Sequence, residues 1–167
     1  ELAALDVATL RFQFPYMERG SKRTDPPPLC HATVRAAVAT AAAQSPGVAL
    51  VAGGRSFGGR MTSHAAAESK LEDVKGLVFF SFPLHAPNQP NDKRAEHLSS
   101  IKQPMLFLSG TRDALVPLTA ARFMQGALPN ATLAELDGAA HAPREQHAVS
   151  VGKQGLEPTR RVPPNRQ

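Results

Sequence analysis

The 167 residues include one cysteine, one tyrosine and no tryptophan. A single thiol, Cys30, closes no intramolecular disulfide, which excludes a disulfide-stapled scaffold and points to a reducing, cytoplasmic setting. Aromatic residues make up 5% and do not interleave with basic ones, so the stacking platforms of a nucleic-acid binder are missing. No apolar run approaches the ~20 residues of a membrane-spanning helix. No secretory leader pattern opens the chain. The first residue is Glu1 rather than Met, as in a processed chain or a fragment. The six histidines show no metal-ligand spacing with a carboxylate, so neither a metal nor a cofactor is expected. The formal charge is +5, but residues 144–167 hold five basic and two acidic residues and so carry +3 of it. The basicity is mostly a tail property and is weak support for a nucleic-acid partner. Neither a specific nucleic acid nor a membrane is expected as a partner, and the oligomeric state is left open.

What is present is enough apolar material, 42%, to bury a core in one domain. Residues 7–14 (VATLRFQF) alternate and predict a strand closed by Pro15. Residues 16–28 form a loop with the triple proline Pro26-Pro27-Pro28. The alanine-rich span 29–44 predicts an amphipathic helix, stopped by Ser45-Pro46-Gly47. Further strands are predicted at 48–52, 76–82, 104–109 and 131–136. Helices are predicted from the residues after Ser56 to about Ser69, over 94–100, and over 117–128 with its leading proline. The span 83–91 reads as a loop and carries pocket walls. The strands are continuous apolar runs alternating with helices. This predicts an α/β fold with a mostly parallel sheet covered by helices on both faces. Residues 1–143 are read as the domain and 144–167 as a basic, irregular tail.

The stretch 48–59, VALVAGGRSFGG, fits the G-x-S-x-G nucleophile elbow with Ser56 at its apex. The turn is tight, so Gly54 and Gly58 must be small, and the following helix aims N-terminal N–H groups at the reacting oxygen. Serine needs a base, and the base an orienting acid. Asp113 follows the strand and glycine turn LFLSGTRD, and His141 follows the strand and loop LAELDGAAH. Ser56, Asp113 and His141 each lie just past a predicted strand, in the order of the strand-to-helix hydrolases, on one edge of the sheet. Asp137 is the competing acid but sits only four residues from His141 and reads as a turn former. His147 is the substitute base, with no strand leading to it. His31, His64, His85 and His97 read as surface or helix-face residues, and Cys30 as a buried structural thiol. Arg19, Lys22, Arg23, Arg55 and Arg60 read as a solvated basic surface, with an acidic substrate as the sharper alternative.

The segments FQFPYMERGSKR, PPPLCHATVRAAV, VAGGRSFGGRMTS, GLVFFSFPLHAP and PMLFLSGTRDALVP together resemble the bacterial α/β-hydrolases related to dienelactone hydrolase. That group is similar to the hydrolase-like domain of a chromatin histone-acetyltransferase complex subunit. The resemblance covers about residues 2–141. It implies an α/β-hydrolase fold, with Ser56 as nucleophile, Asp113 as acid and His141 as base. The implied reaction is hydrolysis of an ester-type bond in a small-molecule substrate. Dienelactone hydrolases carry cysteine at the elbow, so dienelactone itself is not the expected substrate. Family members open with a strand and a His-Gly-Ala-Gly-like loop that supplies half of the oxyanion hole. No such segment occurs here, so an N-terminally incomplete domain is expected, with the Phe57 N–H as the remaining oxyanion donor. The alternative function is a weak or inactive hydrolase-like scaffold that keeps the fold for interaction.

Overall fold

In the computed structural model, which describes residues 2–84, 94–141 and 149–152, one sheet organises the chain. Its strands are β1 Val7–Leu10, β2 Leu50–Arg55, β3 Val74–Phe80, β4 Met105–Gly110, β5 Ala131–Leu136 and β6 Val149–Gly152, in the spatial order β1-β6-β2-β3-β4-β5. β2 to β5 are mutually parallel, and β6 is antiparallel to both of its neighbours, β1 and β2. β1 therefore points the same way as β2. The strand at Val149–Gly152 corrects the expectation that residues 144–167 are irregular throughout: an alternating V-S-V-G segment pairs with two strands at once. The expected parallel α/β sheet is present.

The helices are α1 Pro15–Glu18, α2 Pro27–Gln44, α3 Phe57–Glu68 and α4 Leu118–Ala127. α2 begins two residues earlier than its pattern predicts, because proline in the first turn gives up an N–H that has no helical acceptor anyway. Its buried stripe, Cys30, Val34, Ala37, Val38 and Ala41, has helical spacing and packs beside α3 and β2. β1 is shorter than the alternation of residues 7–14 suggests. Phe12 and Phe14 leave the sheet, and the fully buried Phe14 ring stands edge-on to Phe57, 5.6 Å away. The residues after it turn into α1 rather than remaining a loop.

The chain steps from β1 to β5 always in one direction across the sheet. Right-handed crossovers then place α2, α3 and α4 on the same face. Burial agrees. Leu77, Phe79, Met105, Phe107 and Leu133 point into the core, while Val78, Leu106 and Leu108 on the other face are half-buried and Phe80 is 41% exposed. Helices for that second face are not among the described residues. The core is centred on Phe79, Phe82 and Phe107, whose ring centroids lie 5.2–5.7 Å apart. The carboxyl ends of β2, β3, β4 and β5 share one edge, the place where such sheets bind ligands.

Candidate active site

β2 ends in Gly53-Gly54-Arg55, and Ser56 follows as the cap of α3 with φ 48° and ψ −111°. A non-glycine residue in the left-handed region stores on the order of 1–3 kcal/mol of strain and persists only where its surroundings fix it. Here Ser56 N–H donates to the carbonyl of Phe80 at 2.9 Å, and Ser56 C=O accepts from Arg60 N–H at 3.1 Å. The turn leaves the serine side chain partly accessible. The tightness predicted for Gly54 is present, since a Cβ there would stand 2.9 Å from the carbonyl carbon of Gly58. Two further glycines are as constrained, and the five-residue pattern does not name them. A Cβ on Gly53 would lie 1.9 Å from the carbonyl oxygen of Val78, and one on Gly59 would lie 2.7 Å from that of Gly54. The doubling of both glycine pairs in VAGGRSFGG is the signal that marks them. Phe57 opens α3, where a backbone N–H has no acceptor within the helix. Its ring is held by Phe14 and Tyr16, with the Arg60 guanidinium 6.0 Å from its centroid.

Asp113 stands three residues beyond β4, and its carboxylate is shut off from solvent. His141 Nδ1–H donates to it, at 2.8 Å from Oδ2 and 2.9 Å from Oδ1. The N–H groups of Leu115 and Val116 donate to Oδ1 at 2.9 and 3.0 Å, and the Ser81 hydroxyl donates to the carboxylate as well. Burial pushes the Asp113 carboxyl up, but the bonds from Ser81, His141, Leu115 and Val116 outweigh it and hold the group below its ordinary value. The loops after β4 and β5 are tied together. Arg112 N–H donates to Ala139 O, Thr111 N–H to Leu136 O, and Gly138 N–H to the Thr111 hydroxyl. Gly110 makes this approach possible, since a Cβ there would lie 2.2 Å from the Ala139 carbonyl. Asp137 is exposed and accepts from Thr111 Oγ1 at 3.3 Å, so it serves the turn, and the histidine bonds Asp113. Asp113 and His141 are thus in contact, and Ser56 stands on the same sheet edge, with β3 alone between its strand and that of Asp113. His147 and His85, and most of the expected pocket loop, lie outside the described residues.

Three histidines read from the sequence as surface or helix-face residues instead form a stack between elements. His31 of α2, His64 of α3 and His97 of the 3-10 turn Glu96–Ser100 lie face to face. Their centroids are 5.9 and 3.7 Å apart, with interplanar angles of 16°. His31 is buried and its Nδ1–H donates to Glu68 Oε1 at 2.7 Å. Ser63 Oγ donates its one proton to the Arg60 carbonyl at 2.8 Å, so it accepts from His97 Nε2–H, also at 2.8 Å. His97 Nδ1 is buried with no hydrogen-bond partner among the described residues, which disfavours a proton there and keeps the ring neutral. Burial, then His64, Arg60 and His31, push the His97 imidazole down to about 4. Burial, with His31 and Arg60, also lowers His64, against an opposing pull from Glu68. Among the described residues no group of three or more His, Cys, Asp or Glu is placed to hold a metal ion. Among the same residues no helix is long and apolar enough to cross a membrane.

A family profile described as alpha/beta hydrolase domain matches residues 1–154. A stretch of 50 residues is 42% identical to a pimeloyl-[acyl-carrier protein] methyl ester esterase of Aromatoleum aromaticum, covering 30% of this chain and 20% of that protein. Among solved structures, an alpha-beta serine hydrolase homologue from Coxiella burnetii is similar at 18% identity and a TM-score of 0.56, over 72% of this chain and 54% of that one. A protein assigned as a dienelactone hydrolase from Klebsiella pneumoniae is similar at 27% identity and a TM-score of 0.53, over 76% of this chain and 61% of that one. The chain thus spans a fifth of that curated relative and little more than half of these solved structures.

Proposed function

Because the chain belongs to the alpha/beta hydrolase domain family, we propose that it is a serine hydrolase that cleaves an ester-type bond of a small-molecule substrate. The observation that carries this reading is the bond from the partly exposed His141 to the buried Asp113, on the same sheet edge as a serine held in a strained left-handed turn. In this mechanism Ser56 Oγ attacks the acyl carbon while His141 Nε2 takes its proton. Asp113 fixes the tautomer by accepting from Nδ1–H and stabilises the imidazolium. The negative charge that develops on the carbonyl oxygen is received by the Phe57 N–H at the head of α3. His141 returns the proton to the leaving alkoxide, and the same base then activates water to release the acid and free Ser56. The nearby relatives described as an esterase and a dienelactone hydrolase support the substrate class. The buried thiol of Cys30 suits a reducing compartment, and a cytoplasmic location belongs to the same proposal.

A fluorophosphonate probe tests the nucleophile. The wild-type protein is expected to be labelled on Ser56 and to hydrolyse p-nitrophenyl esters, and Ser56→Ala is expected to lose both. Labelling that survives in Ser56→Ala overturns the assignment. So does a folded wild-type protein that neither reacts nor turns over, which would favour a hydrolase-like scaffold.

A further inference from the structure

Four non-glycine residues among those described have positive φ, and two of them, Ser56 and Ser81, stand at the carboxyl ends of the adjacent strands β2 and β3. The strain at Ser56 belongs to the elbow. Ser81 has no such role, yet it is held at φ 48°, where glycine is the residue at ease. Its backbone is pinned by its N–H donating to the Leu108 carbonyl of β4 at 2.9 Å. The residue is 5% exposed and its hydroxyl reaches the Asp113 carboxylate. A strained residue kept polar, buried and aimed at an ionised group calls for a functional account.

We propose that Ser81 is a positioning residue for the Asp113–His141 pair, its hydroxyl locking the carboxylate in the orientation that receives His141 Nδ1–H. The inference rests on the triad reading given above. An ionised carboxylate has about four lone-pair positions. The N–H groups of Leu115 and Val116 both come from the loop beyond Asp113 and both fall on Oδ1. Alone they allow the carboxylate to swing about that oxygen. Ser81 is the donor from a different strand, and it braces the group from the β3 side. Water does not replace it, because the Asp113 side chain is fully buried.

Two substitutions separate the hydroxyl from the backbone. Ser81→Ala removes the hydroxyl and keeps the strained turn. Ser81→Gly removes the hydroxyl and relieves the strain. Both are expected to lower kcat for a p-nitrophenyl ester by about 10- to 100-fold, the scale of one charge-assisted hydrogen bond, with KM within about twofold. Ser81→Gly is expected to melt no lower than wild type. In both, the low-field proton resonance of His141 Nδ1–H, assigned by its loss in His141→Ala, is expected to broaden or disappear. This readout needs no turnover. A Ser81→Gly protein with wild-type kcat and an unchanged resonance overturns the inference. If Asp113→Asn is meanwhile inactive, the triad reading survives that result. If Asp113→Asn and His141→Ala are as active as wild type, the triad reading falls and the role of Ser81 falls with it.

Discussion

Acidification toward pH 5 is expected to weaken the protein through the histidine stack, well before its carboxylates are protonated. His97 is neutral in the folded state and binds a proton only near pH 4, whereas an imidazole in the unfolded chain does so near 6.5. Between these values the unfolded state holds more protons, so stability rises with pH and is lost as pH falls from about 6.5 to about 4. Linkage across that difference gives about 2 kcal/mol at pH 5. The ring is partly accessible, and solvent screening reduces this to about 1–2 kcal/mol. His64 is shifted the same way and adds to the loss. Asp113 does not contribute in this window. Its folded value is depressed, so its contribution is present above the ordinary carboxylate range and disappears only below it. The charged groups around the stack have fixed positions. Glu68 pairs with His31 and lies 3.7 Å from Arg35, and Arg60 is the cation that acts on His97 and His64. Urea unfolding at pH 7.5 and pH 5.0, for wild type and His97→Phe, measures the effect. Phenylalanine keeps a ring to stack on His64 but cannot titrate. It gives up the bond to Ser63 at both pH values alike. Wild type is expected to lose about 1–2 kcal/mol more than the variant between the two conditions. An equal loss in both proteins refutes the reasoning.

Three further outcomes follow from the geometry. Gly53→Ala sets a methyl against the Val78 carbonyl and is expected to cost about 3 kcal/mol or more, read as a collapsed urea midpoint or insoluble protein. Gly126→Ala, inside α4 with nothing within 4 Å of the added atom, is expected to stabilise by about 0.5–1 kcal/mol in the same assay. Asp113→Asn is expected to lower kcat for a p-nitrophenyl ester by about 10³–10⁴-fold, because the amide favours the wrong histidine tautomer. A steady-state assay showing less than a tenfold loss would contradict it.

Much of the sheet was legible because each parallel strand is an apolar run ended by glycine or proline, and Ser56, Asp113 and His141 each follow such a run. The reading failed where one pattern serves two surfaces. Phe12 and Phe14 alternate as strand residues do, but Phe14 packs edge-on to Phe57 and Phe12 edge-on to Phe14, and β1 ends at Leu10. The histidine stack left no trace, because His31, His64 and His97 come from three elements that meet only after folding, each more than 30 positions from the next. Ser81 was invisible for another reason. Its role depends on a backbone dihedral that Ser-Phe-Pro does not advertise. β6 is four residues of alternation inside a charged tail, too short for periodicity to separate from noise.

The antiparallel strand β6 sets a timetable for synthesis. β1 leaves the ribosome ahead of the other described strands, yet among the described residues its partner in the sheet is β6, which comes some 140 residues later. At about 5–20 residues per second β1 waits roughly seven to thirty seconds for it. During that interval β2 to β5 can assemble in order, each new strand pairing with the one made just before. Among the described strands β1 is then made first and docked last, together with β6, and until it docks its open edge is exposed to chaperones and to pairing with neighbouring chains.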